Sequence, residues 1–338
     1  MKNPILNIQK LDFQWPALDP FLFCVHHNDV YPKGNADFGP DASLKGRQIG
    51  QDFVLKDGWR MYHGDKIPGF PAHPHRGFET ITVATKGLID HSDSMKASGR
   101  YGNGDTQWMS AGKGVQHAEM FPLLDSTTTN ELELFQIWIN LPSHNKMCDP
   151  HFKMFWNENS TKVFEKDEQN NAISIKVING QYKTAKGETA PPHSWANDKN
   201  NYVALWLIEL SAHAKWKIPN AGAQTNRMLY FYEGDDIHIG DNTFESGLGL
   251  TLDPIANTLV ENGHKPAKFL LMQGNPINEP VAQYGPFVMN TQQEIQQAFT
   301  DYRATEFGGW PWEKLEVVHG DSDRFAKHAN GRIEKPNK

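Results

Sequence analysis

Gly69-Phe70-Pro71-Ala72-His73-Pro74-His75-Arg76-Gly77-Phe78-Glu79-Thr80 is the stretch on which the reading of this chain turns, together with the later run Gly104-Asp105-Thr106-Gln107-Trp108-Met109-Ser110-Ala111-Gly112-Lys113-Gly114-Val115-Gln116-His117-Ala118-Glu119-Met120. Each holds a pair of ligand-type residues spaced i, i+2: His73 with His75, and His117 with Glu119. On a strand, residues two apart point to the same face, so each pair sends both side chains to one side. If the two strands meet inside a barrel, four ligand groups converge. Three neutral imidazoles and a carboxylate suit a divalent transition ion such as Fe, Ni, Cu, Mn or Zn. With an unperturbed pKa near ~6.5, most of each ring is already in its ligating form at neutral pH. The competing reading is four polar residues on a solvated strand face. The apolar neighbours Phe78, Ile81, Val83, Trp108, Met109, Val115 and Met120 argue against it. Pro74 has no N–H for a ladder, which predicts an edge or irregular strand. Gly112 and Gly114 lack the P-loop lysine spacing and a following helix, so they are expected to turn the backbone before His117.

Both runs resemble the signature of the pirin family. So does a third stretch, Glu279-Pro280-Val281 followed by Tyr284-Gly285-Pro286-Phe287-Val288-Met289-Asn290-Thr291. The order and spacing of all three fit, and the resemblance covers about Leu18 to Arg303. Pirins are bicupins. The resemblance therefore implies an all-β fold of two antiparallel, jelly-roll-type β-barrels in one chain with a C-terminal helix. The expected division is 1–160 for an N-terminal metal-binding barrel, with a long insertion at about 31–68. A C-terminal barrel without metal takes 161–290, and a helix and tail take 291–338. Pirins carry iron in the N-terminal barrel on three His and one Glu. Carried over, the ligands are His73, His75, His117 and Glu119, and the cofactor is Fe, with Ni, Cu, Mn, Zn or Co as other ions the site would accept.

Some pirins cleave the flavonol quercetin with loss of carbon monoxide, which implies a small aromatic substrate and O2, with Glu119 as the candidate catalytic base. Others bind transcription regulators or metabolic enzymes, which implies a metal-dependent, redox-sensing regulator with a protein partner. The chain departs from the family in two places. Adjacent His26-His27 stands where pirins carry an acidic residue and aromatics, and is expected at a surface or pocket rim. The connector Tyr31–Pro68 is longer than usual and is expected at the barrel mouth as a lid or oligomer contact. Glu79 occupies the position of a metal-binding Glu in many cupins. Because pirins use the later carboxylate, Glu79 is expected to be structural, pairing with Arg76 or supporting a ligand.

The rest of the chain is consistent with this frame. A length of 338 residues allows two domains. A formal charge of −7 argues against broad nucleic-acid binding, which needs a basic face. Two cysteines, Cys24 and Cys148, are too few for a disulfide framework. No signal-peptide h-region or membrane-length apolar run is present, so a cytoplasmic location is expected. Phe21–Val25 reads as a strand buried on both faces, Leu132–Leu141 as a buried strand, and Asn157–Asn171 as an inter-barrel linker. Ile173–Asn179, Tyr202–Leu210, Arg227–Glu233, Asp236–Gly240 and Lys268–Met272 read as short strands of a sandwich or barrel. His213, His238 and His264 are read as structural or exposed. His91 and Asp93 form another i, i+2 pair, read as hydrogen-bonded on the outer or upper barrel surface rather than as ligands. Thr291–Ala304 is the predicted helix, with Thr291 and Glu294 as capping box and Ile295, Phe299 and Tyr302 on one apolar face. The charged end past Asp321 is expected to be disordered.

Overall fold

The computed structural model describes residues 3–337. These form a mostly β molecule with one α-helix among the described residues, Gln292–Thr305. The chain packs as two compact units, each assembled from separate stretches. One comprises 1–25, 138–140 and 160–278; the other comprises 26–137, 141–159 and 279–338. The opening strand and the final segment are thus each exchanged with respect to a simple cut near residue 160.

The unit that includes 160–278 contains a seven-stranded antiparallel sheet. Its order is Ile5–Lys10, Leu248–Leu252, Asn226–Glu233, Ala267–Gly274, Ala204–Leu210, Ala172–Asn179 and Thr161–Lys166. A second sheet runs Lys215–Lys217, Leu259–Asn262, Asp236–Ile239 and Asn242–Glu245. Alternation along the strands supplies one core: Ile173, Ile175 and Val177 from one strand meet Trp216, Val260 and Ile237 from the smaller sheet. All five strands expected in this region are present, with ends shifted by one or two residues. The expected linker 157–171 instead contains strand Thr161–Lys166, whose alternating exposure marks it as the sheet's half-solvated edge. Lys162 and Lys166 face outward on this edge strand, and such charged positions read as linker from composition alone. His213, His238 and His264 are exposed, as expected.

In the other unit, one sheet has the order Ile333–Glu334, Phe325–Lys327, Ser98–Gly102, Leu88–Asp93, Val115–Met120 and Gly69–His75. Facing strands are His151–Phe155, Thr106–Ser110, Phe78–Lys86 and Asn130–Asn140. The predicted edge position of Pro74 is observed: Gly69–His75 ends its sheet and carries a register shift between Phe70 and His73. Gly112 and Gly114 both have positive φ (48° and 133°) just before the second ligand strand. The helix forms as predicted. The Thr291 side chain accepts from Glu294 N, and the Glu294 carboxylate accepts from Thr291 N. Its face of Ile295, Phe299 and Tyr302 packs on the hairpin Ala282–Tyr284/Phe287–Met289.

Four local expectations are corrected. Phe21–Val25 is only the start of a strand running to Tyr31, and Leu22, Phe23 and Val25 are half-buried rather than enclosed on both faces. His27 is not at a rim. It is buried among the rings of Tyr62, Phe70 and Phe121. The 31–68 segment is not merely a cover, because Trp59, Met61 and Tyr62 belong to the core. Arg47 pins it from within by donating to Asp52, to the Trp59 carbonyl and to the Lys56 carbonyl, with its guanidinium 3.3 Å over the Trp59 ring. Finally, the tail past Asp321 is ordered. Phe325–Lys327 adds a strand beside Ser98–Gly102, and Arg324 pairs with buried Asp105.

Candidate metal centre

Strands Gly69–His75 and Val115–Met120 run antiparallel, with His73 opposite His117 and His75 opposite Val115. Their i, i+2 ligand pairs therefore point to one side of the sheet. Ring centroids lie 4.5 Å apart for His73–His117, 4.7 Å for His73–His75 and 4.9 Å for His75–His117. One ligating nitrogen from each of the three rings lies within 4.8 Å of the others.

The tautomers follow from the neighbours. His73 Nδ1 is 2.8 Å from the Pro71 carbonyl oxygen, and His75 Nδ1 is 3.4 Å from that of Pro286. A carbonyl only accepts, so both Nδ1 atoms carry the proton and both Nε2 atoms carry the lone pair. His117 is fully buried, and neither of its ring nitrogens has a hydrogen-bond partner. Burial holds His73 near pKa 4 and His75 and His117 well below the ordinary imidazole value, so all three are neutral at physiological pH. An unsatisfied, uncharged imidazole beside two others with fixed tautomers fits a transition ion, since the orphaned polar atom is otherwise an uncompensated cost.

Glu119 lies beside this triad rather than within the three-residue cluster. Its Oε2 is 3.8 Å from His117 Nε2. Gln136 Nε2 donates to Oε2 at 3.0 Å, while the Thr82 and Tyr101 hydroxyls donate to Oε1 at 3.0 and 3.4 Å. Burial raises its pKa, opposed by His91 and by those three donors. Sequence reasoning missed Thr82, Tyr101 and Gln136. Their only signal is parity on strands whose register is invisible in the chain. It likewise missed the Pro286 carbonyl, although the third motif contains that residue. Pro286 reaches His75 because Arg76 and Phe287 form a parallel bridge.

His91 Nε2 donates to the Asp93 carboxylate at 3.3 Å, as expected, but the pair is wholly buried and not on an outer surface. It faces inward because Leu88–Asp93 pairs with Val115–Met120, placing His91 opposite Glu119 and its ring 5.6 Å from that of His117. Glu79 is buried and accepts from the Ser110 hydroxyl. Arg76 does not serve it; the guanidinium pairs with Asp301 at 2.6 Å and lies over the Phe307 ring. The 31–68 segment reaches the centre's surroundings through Tyr62, stacked 5.3 Å from Phe70, which in turn lies 6.2 Å from His73.

Two antiparallel β units, one of them with a histidine cluster on the edge strand Gly69–His75 and its neighbour Val115–Met120, define a bicupin. Profile comparison finds pirin over residues 14–139 and the pirin C-terminal cupin domain over 205–308. A Vibrio cholerae protein whose name provisionally assigns it as a quercetin 2,3-dioxygenase is 35% identical over 244 residues, covering 72% of this chain and 81% of its own length. Human pirin is 32% identical over 262 residues, with coverages of 76% and 82%. Among solved structures, a quercetin 2,3-dioxygenase from Acinetobacter baumannii superposes with a TM-score of 0.69 at 26% identity, covering 91% of this chain and 99% of that one. The chain belongs to the pirin family.

Proposed function

We propose that this protein is a metal-dependent dioxygenase of the quercetin 2,3-dioxygenase type, with iron held by His73, His75, His117 and Glu119. The observation that carries the metal is the buried His117 ring, unsatisfied at both nitrogens and set between two imidazoles whose lone pairs are already assigned. The flavonol-like substrate is inferred from the relatives' names. A bound divalent transition ion supplies Lewis acidity that polarises an enolic oxygen of the substrate.

The chain's own groups supply the rest. Glu119 keeps Oε1 on the Thr82 and Tyr101 hydroxyls and presents Oε2, shared with Gln136, towards His117. Its raised proton affinity suits it to take the hydroxyl proton of a flavonol at Oε2. Service as ligand and as base then requires the carboxylate to shift between the two oxygens, with Gln136 holding Oε2 in reach. The half-buried Phe70 ring, 6.2 Å from His73 and backed by the buried Tyr62 ring, offers an apolar surface to a planar substrate.

The test is turnover of quercetin in air by anaerobically iron-loaded protein, read as loss of flavonol absorbance and carbon monoxide in the headspace. Metal-free protein and His117→Ala serve as controls. Iron-dependent release of carbon monoxide supports the reading. Absence of turnover by fully loaded protein overturns it in favour of a metal-dependent regulator acting through a protein partner.

A further inference from the structure

The unit that includes 160–278 has a cavity of about 500 Å³, and a cation lies buried in its wall. Arg227 begins the inward face of strand Asn226–Glu233; Leu229 and Phe231, two and four residues on, are core residues. The same parity along Ala267–Gly274 places Gln273 in line with the core residues Leu271 and Phe269. Arg227 and Gln273 face each other in the ladder. Gln273 Oε1 accepts from Arg227 Nε at 2.8 Å and Nη2 at 2.6 Å, while its Nε2 donates to the Tyr202 carbonyl at 3.2 Å.

The guanidinium is thus oriented by a neutral amide, and it has no ion-pair partner among the described residues. Glu188 and Asp198 line the same cavity, but neither pairs with it. Burial alone lowers its pKa to about 10, so it is still charged at neutral pH. Two further polar atoms in the lining are buried without a hydrogen-bond partner: the Trp206 Nε1–H donor and the Asn179 Oδ1 acceptor. A buried guanidinium with no counter-charge and an idle indole donor form a costly arrangement when nothing else is bound.

We propose that this cavity binds a small organic carboxylate, its two oxygens on the Nη1 and Nη2 hydrogens of Arg227 that Gln273 does not occupy and its planar body against Trp206. A guanidinium presents parallel donors that match a carboxylate. A single buried cation balances a monoanion. A phosphate dianion would call for a second one, and the lysines in the lining, Lys183, Lys186 and Lys199, are not buried. The apolar part of the wall, with Val203, Ala204 and Pro219, suits an aromatic or aliphatic body rather than a sugar.

The experiment is a titration of 4-fluorobenzoate with the full-length, metal-loaded protein, followed by fluorine NMR line broadening. Saturable binding is expected. Arg227→Lys, which keeps the charge but not the fork, should weaken it by on the order of tenfold, and Arg227→Met should abolish it. Trp206→Phe should weaken it several-fold. His117→Ala should bind like the unaltered protein, and inorganic phosphate at equal concentration should not compete. No saturable binding, binding undiminished in both Arg227 variants, loss in His117→Ala, or displacement by phosphate would each overturn the proposal. Because Arg227→Lys keeps a cation at this position, it keeps the test decisive if Arg227→Met does not fold.

Discussion

His117 holds two buried ring nitrogens without a partner, and a ring in that state is either a cost to the fold or a ligand. As a ligand, its replacement by Ala should drop metal content to a small fraction of that of the unaltered protein, measured by elemental analysis, with the circular dichroism spectrum unchanged. His91→Asn should retain metal, since His91 is engaged with Asp93 and stands outside the three-ring cluster. Thr82→Val and Gln136→Leu should each weaken metal affinity by roughly 10- to 100-fold, as loss of a hydrogen bond that orients a ligating carboxylate commonly does; a competitive chelator titration reads this directly. An unchanged affinity would remove Glu119 from the ligand set. The three histidines were legible because i, i+2 spacing is itself a geometric statement. The residues that hold Glu119 were not, because Thr82, Tyr101 and Gln136 come from three other strands.

At the scale of elements, the helix is the part most completely written in local sequence. Thr291→Ala removes the capping box and should cost about 1 kcal/mol in a denaturant titration. The tail strand is the opposite case. Phe325–Lys327 is three residues long, too short to announce itself, and becomes a strand because Ser98–Gly102 on one side and Ile333–Glu334 on the other offer it partners. Its anchor is Arg324 on Asp105, a carboxylate whose side chain is fully buried and whose pKa burial raises. Arg324→Ala leaves that carboxylate with only its backbone donors from Gly102 and Asn157. The expected loss is roughly 2 kcal/mol, less than for a fully buried pair because Arg324 is partly exposed, together with faster proteolysis after Gly320. Equal protease resistance in the variant would show that the strand is held by its ladder alone.

For the molecule as a whole, His27 ties stability to pH. Burial, with help from His26 and Arg60, pushes its pKa down to about 3. Below the unfolded value near ~6.5 the unfolded chain takes up a proton that the folded chain refuses. Stability is therefore fully present above that pH and falls as pH drops towards 3. Between pH 7 and pH 5 this single group should remove roughly 2 kcal/mol. His27→Phe should flatten the fall by about that amount in paired urea titrations; an unchanged slope would show that the ring finds a proton-stabilising partner. Among the described residues no helix is long and apolar enough to cross a membrane.

The sequence by itself determined the strand periodicity, the family, the capped helix and the two i, i+2 pairs of candidate ligands, since each is a property of neighbours a few residues apart and of side-chain alternation. Tertiary structure alone decided which unit each stretch joins. It also turned His91 inward, brought the Pro286 carbonyl to His75, and left Arg227 buried without a counter-charge. Those outcomes depend on strand register and on which faces are enclosed. A ladder between residues far apart in the chain sets both, and no local pattern records its partner.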